Sequence, residues 1–532
     1  MKEEKLLPII IAISAVITGL TIAFPQYFGA LEWISISPVL FALIRLRKKG
    51  AKLGKYYIYG VLYFGLYGVT VYHWFVYLYP MEFTGLDNAS SIAVILLAIF
   101  GLSIIEGAIS SLSFLIVGGL SATGLYDKSP FIEPILFSAL FAVFEYLKCF
   151  GWFGIPLARL SLGQSSFMPI LATSSLFGSY LITALIVFVN ALLAISVSER
   201  KKRLISKISL GAAVLSFSVN LIVGSVIYTD RQDASEGGIR VALVQGNFPS
   251  TEIMETDPKQ NLSIYEDLTR LAASDGADVI VWPEGSVEFF LDESSALSER
   301  LSQLAIDVDS DIILCATASE KDKIYNASFH ISSTGEFSKS YYAKQHLVPF
   351  GEYVPMKKFV ELVAPYLSDV NLFSFDFTPG DGTVCFDTAN LGRVGNLICF
   401  DSIYEDAAIG AVKDGAEIIV LPTNDSWFSE SAAMNMHANH ARLRAIELSR
   451  TILRAANTGI TAIITPDGEY AERLAVGERG YLIDSVSTND DATLYSIIGN
   501  AFVYFCMAEI IILAGYGVYL IKIGSRREVH EE

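Results

Sequence analysis

The sequence predicts a multi-spanning α-helical membrane protein with an inserted α/β domain, on three observations. The 532 residues are 52% hydrophobic and only 18% charged, with a mean hydropathy of +0.46, too apolar for a soluble chain of this length. Long apolar stretches fill the first part of the chain and recur near its end. Between them, residues 233–490 change character, alternating β-rich runs with amphipathic helical patterns.

A spanning helix needs about 20 mostly apolar residues. Seven stretches are read as spans near 6–24, 31–46, 56–79, 90–120, 130–150, 168–197 and 207–229, and an eighth near 495–522. The second is short, and the fourth is long enough to tilt or break. No small-residue cleavage site follows the first, so it is read as a span and not as a signal peptide. The domains expected are therefore 1–232 with seven spans, 233–490, and 491–532 with the eighth span and a tail.

The loops set the expected orientation. Arg45, Arg47, Lys48, Lys49, Lys52 and Lys55 follow the second span, Arg200, Lys201, Lys202, Arg203 and Lys207 the sixth, and Lys522, Arg526 and Arg527 the eighth. The loop from Pro80 to Ala89 holds no Lys or Arg. Basic loops stay in the cytoplasm, so an eight-span path puts both termini inside and residues 233–490 outside. Glu106, Glu145, Lys148 and Glu509 fall in or near spans, where ionisable groups face protein or water. Glu145 and Lys148, three apart, are placed to pair along one helix face.

In the inserted domain, strands are expected at Ile239–Val244, Asp278–Trp282, Asp311–Ala316, Tyr325–Ile331, Val394–Cys399 and Glu417–Leu421. Helices are expected at Leu262–Ala273, Ala296–Ile306, Asp406–Asp414 and Met434–Leu453. Leu347–Ser374, with Pro349, Pro355 and Pro365, is apolar but aperiodic and reads as a long arm. Its rings Phe350, Tyr353, Phe359 and Tyr366 suit either the membrane interface or the domain's own surface.

Net charge is −18, with no basic stripe outside the loops flanking spans, which argues against a nucleic-acid partner. The five cysteines, Cys149, Cys315, Cys385, Cys399 and Cys506, form no CxxC pair, and the six histidines show no metal-ligand spacing. No metal and no cofactor is expected.

Three residues stand at or just after probable strand ends, where catalytic groups collect. They are Glu284 in Val-Trp-Pro-Glu-Gly-Ser, Lys344 in Tyr-Ala-Lys-Gln-His-Leu, and Cys399 in Gly-Asn-Leu-Ile-Cys-Phe-Asp. A thiol attacks an acyl carbon as thiolate, so it needs a base and a positive neighbour. Glu284 is suited to take the proton. Lys344 is suited to favour the thiolate and hold the oxyanion, with the Phe400 N–H as a second donor. Singly, each has an ordinary alternative: a solvated turn glutamate, a surface lysine, a small core cysteine.

In these contexts Glu284, Lys344 and Cys399 resemble the triad of the nitrilase (carbon–nitrogen hydrolase) superfamily. Together with the spans, they resemble the apolipoprotein N-acyltransferase family. The resemblance is carried by Val-Gln-Gly-Asn-Phe-Pro at 244–249, His-Leu-Val-Pro-Phe-Gly-Glu-Tyr-Val-Pro at 346–355 and Asn-Asp-Ser-Trp-Phe at 424–428. It extends to Ala-Arg-Leu-Arg-Ala-Ile-Glu at 441–447, Arg-Ala-Ala-Asn-Thr-Gly at 454–459, and Glu145 and Gly154-Ile155-Pro156 in the membrane part.

It implies an αββα sandwich mounted on eight helices in a bacterial cytoplasmic membrane, and a ping-pong reaction. Cys399 takes an acyl chain from a phospholipid donor as a thioester, and the α-amino group of a diacylglyceryl apolipoprotein accepts it. Glu284 is then base and acid, Lys344 the oxyanion donor, and Glu352 a supporting carboxylate. Trp427, Phe428, Phe350, Tyr353 and His437 are expected near the substrates. The chain departs from the family pattern at Phe400-Asp401, where Tyr-Glu is usual, at Met254 for a tryptophan, and at Met436-His437 for Gln-His. The same triad also serves a membrane-tethered amidase cleaving a small C–N bond, and that alternative stays open.

Overall fold

The structure is a computed structural model and describes residues 2–81, 86–151, 154–232, 238–248, 257–291, 295–363 and 375–531. The chain divides into two compact units, Met1–Val76 with Ile92–Ile227 and Ile498–Glu532, and Tyr77–Ser91 with Tyr228–Ile497. Helices of eight or more residues are numbered here in chain order.

The first unit is helical: α1 (Lys2–Ala23), α2 (Ser37–Lys48), α3 (Leu53–Val71), α4 (Asn88–Ser121), α5 (Ile132–Leu147), α6 (Ser179–Ser198), α7 (Arg203–Gln232) and, at the chain's far end, α12 (Ala501–Glu531). Among the described residues, seven helical stretches are long and apolar enough to cross a membrane. The stretch read as a fifth span, 130–150, forms only the 16 residues of α5, about 24 Å at 1.5 Å per residue against a hydrocarbon core of about 30 Å. The stretch at 168–197 is broken. Two short turns, Met168–Leu171 and Ser174–Phe177, precede α6, and Gly178 at φ 78° makes the corner. The fourth stretch does not break, since α4 runs unbroken for 34 residues.

Small residues bring α3 and α4 together. A Cβ on Gly60 would lie 2.8 Å from Ser111 Cβ, and one on Gly68 2.9 Å from Ser103 Oγ. On α4, Gly107 faces Gly65, with 3.0 Å to its backbone nitrogen. Such stripes let helix backbones approach where no hydrophobic effect drives association.

The intramembrane charges pair differently from the sequence expectation. Glu145 accepts from the Leu160 N–H (2.7 Å) and Thr183 Oγ1 (2.6 Å). Lys148 pairs instead with Glu106 at 3.4 Å, whose other oxygen accepts from Tyr72 OH at 2.5 Å. The i,i+3 spacing was right for a helix face, but Lys148 lies just past the end of α5 and turns to α4.

The second unit is a four-layer αββα sandwich. Its first sheet has strand order β13-β1-β2-β4-β5-β6, with β3 beside β4: β1 (Ile239–Gln245), β2 (Val279–Val281), β3 (Val287–Phe290), β4 (Asp311–Glu320), β5 (Lys323–Ile331), β6 (Tyr342–Ala343) and β13 (Gly480–Val486). The second has order β12-β11-β10-β9-β8-β7: β7 (Phe386–Thr388), β8 (Gly392–Asn396), β9 (Ile418–Thr423), β10 (Ile452–Ala456), β11 (Ala462–Ile464) and β12 (Tyr470–Arg473).

Period-2 alternation builds the layers. Val241, Leu243, Val279 and Val281 face the opposite sheet's Val394, Ile418, Val420 and Leu453 in one core. The alternate residues Ala242, Val244 and Ile280 face outward, to Leu262 and Tyr265 of α8 (Pro258–Ser274) and Leu301 and Leu304 of α9 (Ala296–Val308). On the other side Ile419 and Leu421 meet Ala407 of α10 (Asp406–Lys413) and Ala438 and Ala441 of α11 (Ala432–Leu448). The central pairs β1–β2–β4 and β8–β9–β10 are parallel, so their carboxyl ends gather at one rim, where ligands bind in such sheets.

Two expected elements are corrected. The strand expected at Val394–Cys399 ends at Asn396, and Cys399 opens a 3₁₀ turn through Ile403. The helix expected at Met434–Leu453 stops at Leu448, capped by Ser449 at φ 53°, and Ile452 and Leu453 enter β10. The arm contains a short helix, Lys357–Val363. Tyr366, Met254 and the Phe359 side chain lie outside the described residues.

Candidate active site

β2 exits through Trp282, whose ring stacks on Tyr265 at 5.3 Å and donates Nε1 to Thr269 at 2.8 Å. Pro283 and Gly285, at φ 73°, then turn the chain sharply and leave Glu284 at the rim. Its Oε2 accepts from the Asn424 backbone N–H at 3.0 Å, just past β9. Its Oε1 accepts from Asn326 Nδ2 at 2.8 Å and from Lys344 Nζ at 2.8 Å.

Lys344 follows β6 and is 1% exposed. Its main chain is pinned on both sides: its N–H donates to Asn326 O (2.9 Å) and its carbonyl accepts from Gly380 N (2.9 Å). Besides Glu284, its ammonium pairs with Glu352 Oε2 at 2.9 Å. Glu352 also accepts from Asn326 Nδ2 (2.8 Å) and the Val348 N–H (2.8 Å). Asn326, a β5 residue with no flag in the sequence, thus donates to both carboxylates that flank the lysine.

Cys399, 6% exposed, adopts φ 48°. A non-glycine residue in this left-handed region costs on the order of 1 kcal/mol or more and marks functional corners. Burial pushes its thiol pKa well above the ordinary value, the Glu284 carboxylate adds to this, and the Lys344 ammonium opposes it. The thiol thus sits within the fields of both residues. Burial pulls the Lys344 ammonium down, yet the two carboxylates outweigh it and hold its pKa well above the usual lysine value. Glu352 is raised by burial, against the pull of Lys344.

The turn that carries Cys399 is supported from two directions. From the lysine side, Asp401, fully buried, accepts from the Ile398 N–H (3.0 Å), Tyr342 OH (2.8 Å), the Gln345 N–H (3.2 Å) and the His346 N–H (2.8 Å). From the α11 side, His437 Nε2 lies 3.0 Å from Cys399 O and 3.2 Å from Ser402 Oγ. Its Nδ1 lies 2.8 Å from Asp425 Oδ1, and Arg454 Nη2 donates to Asp425 Oδ2 at 2.8 Å. Although burial pushes the Asp425 carboxyl up, Arg454 and His437 hold it well below the usual carboxylate range.

The sequence-predicted residues thus fall into three groups. Glu284, Lys344, Glu352 and Cys399 come together. His437, fully buried, stands behind the Cys399 turn, where it meets the Cys399 carbonyl and the Ser402 hydroxyl. Phe428 packs edge-on against His437 at 5.6 Å, and Trp427 beside it is half-buried. The Phe400 ring, buried, meets Tyr404 edge-on at 6.1 Å. Phe350 is 36% exposed, and its N–H donates to Tyr353 O at 2.8 Å, closing a tight loop beside Glu352. Sequence reasoning missed Asn326, Asp425, Arg454 and His346, and gave Asp401 no task. Asp425 and Arg454 open or sit inside the quoted motifs and were discoverable there.

Residues 240–491 match the family described as Carbon-nitrogen hydrolase, and residues 16–192 the one described as Apolipoprotein N-acyltransferase N-terminal domain. A relative from Geobacter metallireducens, called apolipoprotein N-acyltransferase, is 30% identical over 409 residues, covering 75% of each chain. One of the same name from Haemophilus ducreyi is 25% identical, covering 89% of this chain and 90% of its own. Among solved structures, an amidase of the nitrilase superfamily from Nesterenkonia is 19% identical, with a TM-score of 0.38 over 50% of this chain and 96% of its own. With the Geobacter metallireducens relative at 30% identity over 75% of each chain, and the two family matches running through both units, the chain belongs to the apolipoprotein N-acyltransferase family.

Proposed function

We propose that this protein transfers a fatty acyl chain from a phospholipid to the α-amino group of a lipoprotein's N-terminal diacylglyceryl-cysteine. The observation that carries the reading is a buried ammonium held between two carboxylates, its field reaching a buried thiol on a left-handed backbone corner, in a chain whose other unit is built largely of membrane-length helices. A hydrolase of small soluble amides has no need of that second unit.

In the first half-reaction Glu284 takes the Cys399 proton as Sγ attacks the ester carbonyl. The oxyanion is held by Lys344 Nζ and the Phe400 N–H. As the C–O bond breaks, Glu284 returns the proton to the leaving oxygen, giving a lysophospholipid and a thioester. In the second, the acceptor's neutral amine attacks, Glu284 takes its proton, and the C–S bond breaks to release the amide and reprotonate Cys399. Glu352 and Asn326 keep Lys344 charged and aimed. Phe350, Tyr353, Trp427 and Phe428 are assigned to the acyl and headgroup surroundings. The reading places the protein in a bacterial cytoplasmic membrane with the 233–490 domain outside and both termini inside.

The test is to incubate purified protein in phospholipid–detergent micelles with a synthetic diacylglyceryl-cysteine peptide and follow the peptide's mass. Wild type adds one acyl group and Cys399→Ala adds none. Lys344→Met slows transfer by about 100-fold or more, as for loss of an oxyanion donor. Thioester on Cys399 without peptide acylation would assign the second step to water or another amine.

A further inference from the structure

His346 lies two residues after Lys344, and its ring sits between two carboxylates. Nδ1 is 3.0 Å from Asp401 Oδ1 in the nucleophile turn, and Nε2 is 3.3 Å from Asp406 at the start of α10. The ring stacks on Tyr404 at 3.9 Å and 10°. Asp401 is shared: it also accepts the backbone N–H groups of Gln345 and His346, the Tyr342 hydroxyl and the Ile398 N–H. One carboxylate thus joins the segment that carries Lys344 to the turn that carries Cys399, and the imidazole closes the joint on its outer side. The groups facing the ring are Asp401, Asp406 and the Tyr404 face. Tyr342 meets it only through Asp401, and Lys344 turns its ammonium to Glu284 and Glu352.

We propose that His346 is a positioning residue whose charged ring locks the lysine segment onto the nucleophile turn and so sets where Lys344 stands relative to the oxyanion formed at Cys399. The proposal rests on the thioester reading above. Neither partner in the lock touches the reacting atoms, so its effect is on alignment, where a shift near 1 Å costs about 100-fold in rate.

The electrostatics agree with the geometry. Burial pulls the His346 imidazolium down, but the two aspartates outweigh it and push its pKa up to about 9. The Asp406 carboxyl, which burial pushes up, is lowered overall by His346. A raised histidine holds its full contribution below its unfolded value, about 6.5, and loses it as the pH climbs through about 9. The lock is therefore closed at neutral pH and opens on the alkaline side.

The experiment measures the rate of Cys399 acylation by intact mass from pH 6 to 10, using full-length protein in micelles. Two acyl donors are used: palmitoyl-oleoyl phosphatidylethanolamine, and p-nitrophenyl butyrate, an activated ester that needs no lipid recognition. The wild-type rate should fall above about pH 9. Asp406→Asn should move that fall to lower pH, because one of the two carboxylates holding the proton is gone. His346→Asn, which cannot titrate, should lose the fall and run about 10- to 100-fold slower at pH 7. A purely structural histidine would lower the rate in the variants without moving the midpoint. An unmoved midpoint in Asp406→Asn, or an alkaline fall kept in His346→Asn, overturns the proposal. If His346→Asn does not fold, the Asp406→Asn midpoint decides alone. Butyrate acylation with the shifting midpoint, but no thioester from phospholipid, keeps the lock and rejects the phospholipid donor. Acylation from neither donor rejects both.

Discussion

Asn326 concentrates the residue-scale logic of the site. One amide nitrogen donates to Glu284 and to Glu352, so the two carboxylates stay within reach of a single ammonium without repelling each other into solvent. Asn326→Leu is expected to leave both without that donor. It should cost about 1–3 kcal/mol of stability, measured by thermal unfolding, together with a clear loss of acylation rate. Behind the Cys399 turn, Arg454 and Asp425 form a fully buried pair. Arg454→Met strands the carboxylate and should destabilise by about 3–5 kcal/mol. Because Asp425 is held below the ordinary carboxylate range, its contribution is present above about pH 3.9 and is lost as the pH falls through the lower folded value. Asp425→Asn should therefore flatten the acid limb of the stability profile while lowering stability at neutral pH. The grouping of Glu284, Lys344 and Cys399 was legible because each sits in a long motif at or just after a strand end. Asn326 was not, since a lone asparagine in a strand carries no motif and its role exists only once β5 and β6 pair.

At the scale of elements, the rim is made by strands that stop early. β8 ends three residues before Cys399, which frees the chain to turn there, and the hydrophobic pattern of Leu397-Ile398 hid that stop because both residues are buried. Short strands such as β6 and β7 escaped the sequence for a related reason: two or three residues cannot show a period. The helices were easier, because amphipathic patterns over a dozen residues are self-consistent, and α8 and α9 fall where expected. In the first unit the contact of α3 with α4 depends on glycine. Gly68→Leu should force these helices apart and lower the unfolding midpoint in detergent, by about 1–3 kcal/mol for overpacking, whereas Gly54→Leu, with open space at its Cβ, should change it little.

For the whole molecule, composition alone separated a membrane part from a water-facing one, since apolar length and charge asymmetry survive without any fold knowledge. The breaks inside the apolar stretches read at 31–46 and 168–197 were not legible, because hydropathy averages over a bend at Ile36 or a corner at Gly178. The proposed orientation is open to direct test. A cysteine at Asp322 should react with a membrane-impermeant maleimide in intact spheroplasts, and one at Lys49 only after permeabilisation; the reverse pattern would invert the assignment. That orientation gives the resting state of Cys399 a meaning beyond catalysis. Space outside the cytoplasmic membrane is oxidising, and peroxide attacks thiolates, not thiols. A Cys399 thiol whose pKa burial and the neighbouring Glu284 push up offers less thiolate to that chemistry. Cys399 in substrate-free protein should therefore accumulate sulfenic acid more slowly than free cysteine under the same peroxide.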